Sequence, residues 1–253
     1  MKTHNMDSEG PLISIVMPCY NAAQSIGQSI QSVLDQTYTN WELIVVDDSS
    51  TDNSRDIILS IKDERIRLIP LQVNSGGPTT PRNIAIKESR GEYIAFLDSD
   101  DLWSANKLDL QLKAMSKYGV FASAGYYNRV NSNQEVLSVV KTKKIITYKD
   151  MLSSNHIGNL TGIYDSTAIG KVYQKDIGHE DYLMWLNIIN KTDCIVVDEI
   201  IGSYLVSENS ISSNKLKAMK WHYSILYREL DLGLFKSIFY FLKYASNAIR
   251  KRV

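Results

Sequence analysis

The sequence predicts an α/β fold: a mostly parallel central sheet flanked by helices, with a small antiparallel element and a C-terminal helical extension. Its first half alternates short apolar runs with segments in which apolar residues recur at helical spacing. The apolar runs are almost uninterrupted, which is typical of parallel strands buried on both faces. Several runs end in polar or acidic residues, and open sheets of this kind bind ligands at that edge.

The first half contains four predicted strands with a helix between successive strands. We expect the strands at residues 12–17, 43–46, 66–71 and 93–97, and the helices at about residues 22–36, 52–61 and 80–90. Pro18 is expected to close the first strand and to begin a turn. Thr80 and Pro81 are typical of a helix N-terminus, and Gly91 is typical of the residue that stops that helix.

The second half changes character. We expect helices at residues 106–118, 149–153 and 215–230, a hairpin formed by residues 120–127 and 135–140, a helix that begins at residues 179–181, and a strand at 195–206 that is interrupted near Glu199. Residues 1–10 are predicted to be a flexible leader. Residues 11–206 are predicted to form one domain, followed by a helical extension at 207–253.

Composition excludes several classes of protein. The chain has 253 residues, of which 44% are apolar and 22% charged, and its formal net charge is zero, so no global field attracts nucleic acid. Two cysteines, Cys19 and Cys194, cannot form a disulfide scaffold or a zinc ligand set. No signal peptide core and no run of about 20 apolar residues is present. We therefore expect a cytoplasmic protein.

An acidic cluster follows the fourth predicted strand. Asp98, Asp100 and Asp101 place three carboxylates within four residues, and such groups repel one another when water is excluded. A solvated acidic turn is one interpretation. The other is a site for Mg²⁺ or Mn²⁺, because hard cations prefer oxygen ligands and can share phosphate oxygens.

Other polar residues are expected at the same edge of the sheet. Tyr20 and Asn21 follow the first strand, and Asp47 and Asp48 end the second. The two acids are interpreted either as turn and capping residues or as hydrogen-bond acceptors for a base that contacts Tyr20. Arg82 is either a surface cation or, near a helix N-terminus, part of an anion site.

Two acids begin a later helix. Glu180 and Asp181 can simply complement the helix dipole. Alternatively, one of them is a general base within reach of an acceptor hydroxyl. Spacing alone leaves both interpretations open.

Several enzyme motifs are absent from the sequence. It has no G-x-G-x-x-G fingerprint after the first strand, no P-loop and no G-x-S-x-G elbow. This argues against a dinucleotide-dependent oxidoreductase, a P-loop enzyme and an α/β-hydrolase. A nucleotidyltransferase and a non-catalytic sugar- or lipid-binding module remain alternatives, although the former usually has a glycine-rich, lysine-bearing first loop that is missing here.

Four segments together resemble the inverting family 2 glycosyltransferases of GT-A fold. They are residues 14–21, 45–52, 91–101 and 179–182. The resemblance covers about residues 11–206. Residues 161–165 and 178–185 are similar to bacterial enzymes that build O-antigen or capsule repeat units. Several of those add glucose or galactose to an N-acetylhexosamine on undecaprenyl diphosphate.

The resemblance implies a role for each matching residue. Pro18, Tyr20 and Asp48 would border the uracil of a UDP-hexose, Arg82 and Asn83 would lie near the nucleotide or its diphosphate, Asp98 would face the ribose with Ser99 beside it, and Asp100 would ligate the metal with Asp101 nearby. Asp181 would be the catalytic base, and Glu180 its neighbour would orient the acceptor or the base.

The resemblance also implies cofactors, substrates and an outcome. Mn²⁺ or Mg²⁺ would assist, residues 11–103 would bind the nucleotide sugar, and residues 104–206 would bind a GalNAc- or GlcNAc-diphosphate-undecaprenol acceptor. A Q-x-x-R-W motif, which is typical of processive synthases in this family, is absent. Transfer of one hexose with formation of a β-linkage is therefore expected.

The C-terminal segment is apolar and basic. From Leu234, apolar residues recur at helical spacing, and the side-chain charges from residue 236 onwards are all positive. A helix packed on the domain is one interpretation. A basic amphipathic helix in an anionic membrane surface is the other, which would place the protein on the inner face of the bacterial cytoplasmic membrane. The sequence predicts no oligomeric state.

Overall fold

The computed structural model describes residues 10–206 and 215–250, which form one mixed sheet with helices on both faces. The strands are β1 Ile13–Cys19, β2 Trp41–Asp47, β3 Ile66–Pro70, β4 Tyr93–Phe96, β5 Leu102–Trp103, β6 Ala122–Val130, β7 Val136–Val140, β8 Ile145–Ile146, β9 Ile163–Asp165 and β10 Cys194–Leu205. The helices are α1 Ile26–Leu34, α2 Ser54–Ser60, α3 Thr79–Glu88, α4 Lys107–Tyr118, α5 Tyr148–Met151, α6 Ser166–Ile169, α7 Glu180–Ile189, α8 Lys215–Ser224 and α9 Leu234–Arg250.

The sheet has a parallel half and a mixed half. Its strand order is β3-β2-β1-β4-β9-β6-β10-β5, with β7 paired to β6 and β8 paired to β10. β3, β2, β1 and β4 are parallel, as the sequence predicts, so their carboxyl ends lie along one edge. The predicted hairpin is present as β6 and β7, and the predicted interruption near Glu199 is present as two register shifts in β10.

Two apolar clusters cover the two faces of the sheet. Every residue of β1 and β2 is buried, because successive side chains of a strand point to opposite faces. Ile15 and Met17 pack in the cluster that contains α1 and α4, whereas Val16 packs in the cluster that contains α3 and α7. Burial on both faces explains why the strand sequences are apolar at consecutive positions.

Pro18 lies inside a strand and does not open the turn that we expected from the sequence. It is part of β1 and pairs with Val46 of β2. In a parallel strand the N–H and C=O of one residue face the same neighbour, and Val16 accepts a hydrogen bond from Leu97 on the β4 side. Pro18 comes two residues after Val16, so its backbone also faces the β4 side, but it lies beyond the last β1–β4 pair, Val16 with Phe96. Its missing N–H therefore costs no ladder bond.

The predicted ends of the third helix are also corrected. α3 begins at Thr79 after Pro78 and ends at Glu88, with Ser89 already extended. Thr80 is therefore not its N-cap, and Gly91 is not its C-terminal stop. Gly91 is instead required by close packing, because a Cβ there would lie 2.6 Å from the backbone nitrogen of Ser14 in β1.

A short strand that the sequence did not predict joins the two halves. β9 lies between β4 and β6 and is antiparallel to both. It has three residues, which are too few to show the alternation of apolar and polar side chains by which a strand is predicted from sequence. Gly162 precedes it and packs under Trp185 of α7, where a Cβ would lie 2.0 Å from the indole ring.

The C-terminal helices pack on the α7 side of the sheet. α8 continues into a π-helical turn at Ile225–Glu229, and α9 follows. His222 of α8 is buried and stacks between Tyr182 of α7 and Tyr244 of α9. Burial lowers the pKa of His222 to about 4. The prediction that this region is helical is confirmed for residues 215–229 and 234–250, while residues 207–214 lie outside the described part of the chain.

α9 has a packed side and an exposed apolar side. Tyr240 and Phe241 pack against the core, and the Asn247 amide reaches the carbonyl of Ser153. The exposed apolar residues are Leu234, Phe235, Ile238, Phe239 and Leu242, of which Phe235 is 87% exposed. Within residues 10–206 and 215–250, no helix has the length and apolarity that a membrane span requires.

Candidate active site

The predicted convergence of polar residues at the carboxyl edge of the sheet is confirmed. β1, β2 and β4 are adjacent and parallel, so the segments that follow them meet. The loops after β1 and β2 are joined by a hydrogen bond from the backbone nitrogen of Thr51 to Asn21 Oδ1, at 2.8 Å. Asn21 and Ser49 have φ values of 48° and 62°, a conformation that non-glycine residues rarely adopt outside tight turns and functional sites.

The two acids that end β2 have different partners. Asp47 is fully buried, and its Oδ2 accepts a hydrogen bond from Arg55 Nε at 2.5 Å. Asp48 accepts from the backbone nitrogen and the hydroxyl of Ser75, both at 2.9 Å. Asp48 thus holds the loop at residues 74–77 against the sheet edge. Tyr20, at the neighbouring strand end, is 52% exposed and presents its ring at the surface.

The acidic cluster after β4 is only partly solvated. Asp98 and Asp100 are half-buried and Asp101 is 1% exposed. Burial and the charge of Asp98 raise the pKa of Asp100 to about 6. The pKa of Asp101 is raised well above its usual range by burial and by its two acidic neighbours, although it accepts a hydrogen bond from Leu205 N–H at 3.1 Å. The interpretation as a freely solvated turn is therefore wrong.

Arg82 connects the acidic cluster to α7. Its Nη2 donates to both carboxylate oxygens of Asp98, at 2.6 and 2.8 Å, and its Nη1 lies 3.8 Å from Glu180 Oε1. The residue is only 6% exposed. Burial alone would lower the pKa of Arg82, but the carboxylates of Asp98, Asp181 and Glu180 outweigh burial and raise it. Arg82 is thus neither a surface cation nor free of partners.

Asn83 holds a connecting loop. Its Nδ2 donates to the carbonyl of Gln174 and its Oδ1 accepts from the Gln174 N–H, both at 2.8 Å. The Gln174 side chain in turn approaches Arg82, with Oε1 3.4 Å from Nη1. Both polar atoms of the Asn83 amide are thus engaged by the backbone of Gln174. The contact of Asn83 with a nucleotide stays a prediction.

Two left-handed residues precede the predicted base. Gly178 has φ 69° and His179 has φ 54°, and α7 begins at the next residue. Glu180 and Asp181 therefore occupy the first turn of α7, where the helix dipole favours negative charge. The indole ring of Trp221 packs against this turn, with its centroid 5.2 Å from that of the His179 ring.

Two tyrosines line the acidic site and were missed by sequence reasoning. Tyr127 of β6 and Tyr204 of β10 contact each other edge to face, with ring centroids 6.5 Å apart. Burial raises the pKa of Tyr127, and the charges of Asp101 and Asp181 add to the increase. The charge of Asp181 also acts on Arg82, which binds Asp98 and lies 3.8 Å from Glu180, so the acidic cluster and the first turn of α7 share one electrostatic environment. Tyrosine is common in strands for structural reasons, so neither residue could be recognised as part of a site before the strands were paired.

The donor set fits a divalent cation held together with phosphate oxygens. In the described residues, no three histidine, cysteine, aspartate or glutamate side chains enclose an ion by themselves. Asp100 has no basic ion-pair partner among the salt bridges of these residues, and burial, followed by the charge of Asp98, raises its pKa. Mg²⁺ and Mn²⁺ are commonly held by one or two carboxylates plus substrate phosphates. A carboxylate such as that of Asp100 offers the oxygen atoms that these ions prefer.

Two buried donors near the cluster have no acceptor among the described groups. They are Arg82 Nε and Gln174 Nε2. A buried donor without an acceptor is costly, and an anionic ligand would relieve that cost. The site therefore combines acids for a cation with N–H groups for an anion.

Comparison with known sequences identifies related proteins. The sequence model described as Glycosyl transferase family 2 matches residues 14–171. WfgD of Escherichia coli, a UDP-Glc:alpha-D-GlcNAc-diphosphoundecaprenol beta-1,3-glucosyltransferase, is 41% identical over 242 residues, covering 95% of this chain and 94% of WfgD. WfaP of Escherichia coli carries the same description and is 35% identical over 242 residues, covering 95% of each chain.

Solved structures share the fold. TarS residues 1–349 of S. aureus, in complex with UDP-GlcNAc, superposes with a TM-score of 0.74 at 21% identity, covering 92% of this chain and 71% of that one. The predicted GT-A architecture is confirmed by this likeness.

We expect the Arg82→Met substitution to lower the free energy of unfolding by about 3 kcal/mol, because it leaves partly buried acids without their cation. Lys113→Met is the control: Lys113 lies 3.8 Å from Asp109 and its side chain is 76% exposed, so a change below about 0.5 kcal/mol is expected. Urea unfolding of both variants measures the difference. Equal losses would show that the Arg82 ion pairs do not support the fold.

Proposed function

The chain belongs to glycosyltransferase family 2, and from that premise we propose that it transfers one glucosyl residue from UDP-glucose to GlcNAc-diphosphate-undecaprenol, forming a β-1,3 linkage. The chain is a glycosyltransferase by its family. The descriptions of WfgD and WfaP support the choice of donor, acceptor and linkage. The observation that supports the proposal is Arg82, which binds Asp98 of the acidic cluster and lies 3.8 Å from Glu180, the residue before Asp181 at the start of α7.

The nucleotide would lie over the ends of β1 and β2. Tyr20 offers an exposed ring for contact with uracil, and Pro18 at the end of β1 would border the same base. Asp48, which follows β2 and anchors the loop at residues 74–77, would lie on the other side of it. Asp98 and Ser99, at the end of the β4 segment, would face the ribose. Arg82 would keep Asp98 in place, and the charge of its guanidinium would act on the diphosphate nearby.

Asp100 would hold the metal, with Asp101 fixed behind it by the Leu205 N–H. When bound, a divalent ion supplies positive charge that offsets the charge developing on the departing diphosphate. Arg82 adds a second positive charge on the same side, and its guanidinium is already oriented by Asp98. Such preorganised charge needs no rearrangement during the reaction.

Asp181 would act as the general base toward the acceptor. Its carboxylate removes the proton from the acceptor hydroxyl as that oxygen attacks the anomeric carbon. The bond between the anomeric carbon and the UDP oxygen breaks on the opposite face, and UDP leaves with the bonding electrons. A single displacement inverts the configuration, so an α-linked donor gives a β-linked product. Glu180 positions this turn of α7 through Arg82.

We predict that Asp181→Asn lowers kcat by about 100-fold or more, because an amide cannot accept the proton. UDP-glucose binding should stay within about twofold of wild type, since the first turn of α7 keeps its shape. Release of UDP with a GlcNAc-diphosphate-lipid acceptor measures kcat, and calorimetry measures binding. Near-normal kcat would remove the assignment of Asp181 as base.

The same assay tests the reaction class. Release of UDP and formation of a β-1,3-linked disaccharide are expected with UDP-glucose, whereas UDP-galactose and UDP-GlcNAc should react poorly. Release of pyrophosphate would indicate a nucleotidyltransferase, and binding of donor and acceptor without any product would indicate a non-catalytic module.

We predict that Asp100→Ala abolishes the dependence of UDP affinity on Mn²⁺ or Mg²⁺. In the wild-type protein the ion should increase UDP affinity by about 10-fold or more, since its positive charge would offset the repulsion between Asp100 and the phosphates of UDP. UDP titrations with and without a chelator measure this effect. Equal affinity under both conditions in the wild type would contradict the metal site.

A peripheral membrane location would bring the protein to its lipid-linked acceptor. The exposed side of α9 is apolar, and Lys236 and Lys243 lie on the same helix. An apolar face with basic flanks binds anionic bilayer surfaces. The opposite side of α9 packs on the domain, so the two interpretations of this segment from its sequence are compatible with one another.

Phe235→Glu and Leu242→Glu together should reduce binding to vesicles that contain phosphatidylglycerol by about 10-fold or more, because both acids oppose insertion and are repelled by the surface. Both side chains are exposed, so the fold should be unaffected. Vesicle co-sedimentation measures binding, and Leu59→Glu, which alters an exposed residue on α2, is the control. Unchanged binding of the double variant would exclude α9 as the membrane contact.

A further inference from the structure

We propose that a groove between α8 and α9 binds the polyprenyl chain of the acceptor, and that Trp221 connects this groove to the catalytic turn. This inference rests on the proposed function and specifies where the lipid part of its substrate lies. The groove has a volume of about 900 Å³, which lies within the range of about 300–1,000 Å³ that is usual for small-molecule sites. Its apolar lining includes Trp221, Tyr223, Tyr227, Ile238 and Phe241.

The apolar walls of the groove are ordered by ring contacts. Tyr223 stacks on Tyr227 with ring centroids 5.9 Å apart, and it meets Phe241 of α9 edge to face at 5.6 Å. Ile238 is 41% exposed and Tyr227 is 43% exposed, so both remain accessible to a ligand. Aromatic and aliphatic walls of this kind suit a branched hydrocarbon chain, which offers no hydrogen bonds.

The groove continues toward the catalytic turn through one residue. Trp221 lines the groove and also packs on the residues just before Glu180 and Asp181. Its ring lies so close to Gly178 that a Cβ there would be 2.3 Å from Trp221 Cε2. A chain in the groove would therefore leave its polar head beside the turn that carries the proposed base.

Charge at the groove favours a ligand with an anionic head. Lys220 and Arg228 are exposed lining residues, and neither forms a salt bridge among the described residues. The nearby acid, Glu229, is neutralised by Lys175 at 2.6 Å. Two cations beside an apolar groove match the two parts of a polyprenyl diphosphate, an apolar chain and an anionic diphosphate.

The exposed side of α9 adds a route for the chain. Ile238 belongs both to the groove and to the exposed apolar side of α9 that we propose to contact the membrane. A lipid chain could thus pass from the bilayer into the groove without crossing water. This continuity favours the acceptor lipid over a second copy of the chain as the occupant.

The test compares GlcNAc-α-diphosphate esters with a methyl group and with a phenoxyundecyl chain, used below micelle-forming concentrations and without vesicles. Wild-type kcat/KM should be at least about 10-fold higher for the long ester, because each buried methylene contributes to affinity. Ile238→Glu and, separately, Tyr227→Asp should remove this preference by raising the KM of the long ester. The KM for UDP-glucose and kcat/KM for the methyl ester should stay within twofold.

Leu59→Glu is the control, since it places the same charge at an exposed apolar position on α2, outside the groove lining and outside α9. It should keep the long-chain preference. The inference is overturned if wild-type enzyme shows no preference, if Leu59→Glu removes it as fully as Ile238→Glu, or if the groove variants impair both esters equally. No turnover of either ester would overturn the proposed function itself, and the inference with it.

Discussion

The candidate active site depends on the ion pairs that the buried guanidinium of Arg82 forms. It comes from α3, binds Asp98 at the end of the β4 segment and approaches Glu180 at the start of α7. These elements belong to the parallel half of the sheet and to the helix that packs over its mixed half. One planar cation thus sets the distance between the side that would hold the donor and the side that would hold the acceptor.

The same constraint explains how the protein tolerates so much negative charge. Asp98, Asp100, Asp101, Glu180 and Asp181 gather around a single arginine. Burial of the acidic cluster raises the pKa of Asp100 to about 6, which is a cost to the folded state near neutral pH. Rigid supports hold the acids despite that cost, among them the Leu205 N–H and the left-handed turn before α7. A cation and an anionic donor would complete the charge balance.

Sequence reasoning was most successful where local pattern decides structure. Apolar runs located β1 to β4, and the rule that parallel strands share an edge brought Tyr20, Asp48 and the acidic cluster together. It failed where tertiary contacts decide. The Arg82–Asp98 ion pair joins residues 16 positions apart. Their spacing in the sequence does not show whether Arg82 is buried in such a pair or exposed to solvent. β9 is too short to show a period, and Tyr127 and Tyr204 look like ordinary strand residues until β6 and β10 are paired.

Helix boundaries failed for a related reason. Gly91 is the residue type that commonly ends a helix. In the structure it is required because the β1 backbone beside it leaves no room for a side chain. Proline is typical of the end of a strand. Pro18 is nevertheless tolerated inside β1, because the pairing with β4 ends before it and no ladder hydrogen bond requires its missing N–H. In both cases a neighbouring strand, which is distant in sequence, determines what the residue does.

His222 gives the C-terminal helices a dependence on acidity. It stacks between Tyr182 and Tyr244 as a neutral ring, and its pKa is lowered from 6.5 to about 4 by burial and by the nearby charge of His179, against a backbone hydrogen bond with Leu152. Between pH 6.5 and about pH 4, His222 is protonated in the unfolded chain but neutral in the folded chain. Stability contributed by this stack is complete above that window and declines within it. Acidification would therefore loosen α8 and α9 from α7 while the sheet, which contains no such ring, keeps its own packing.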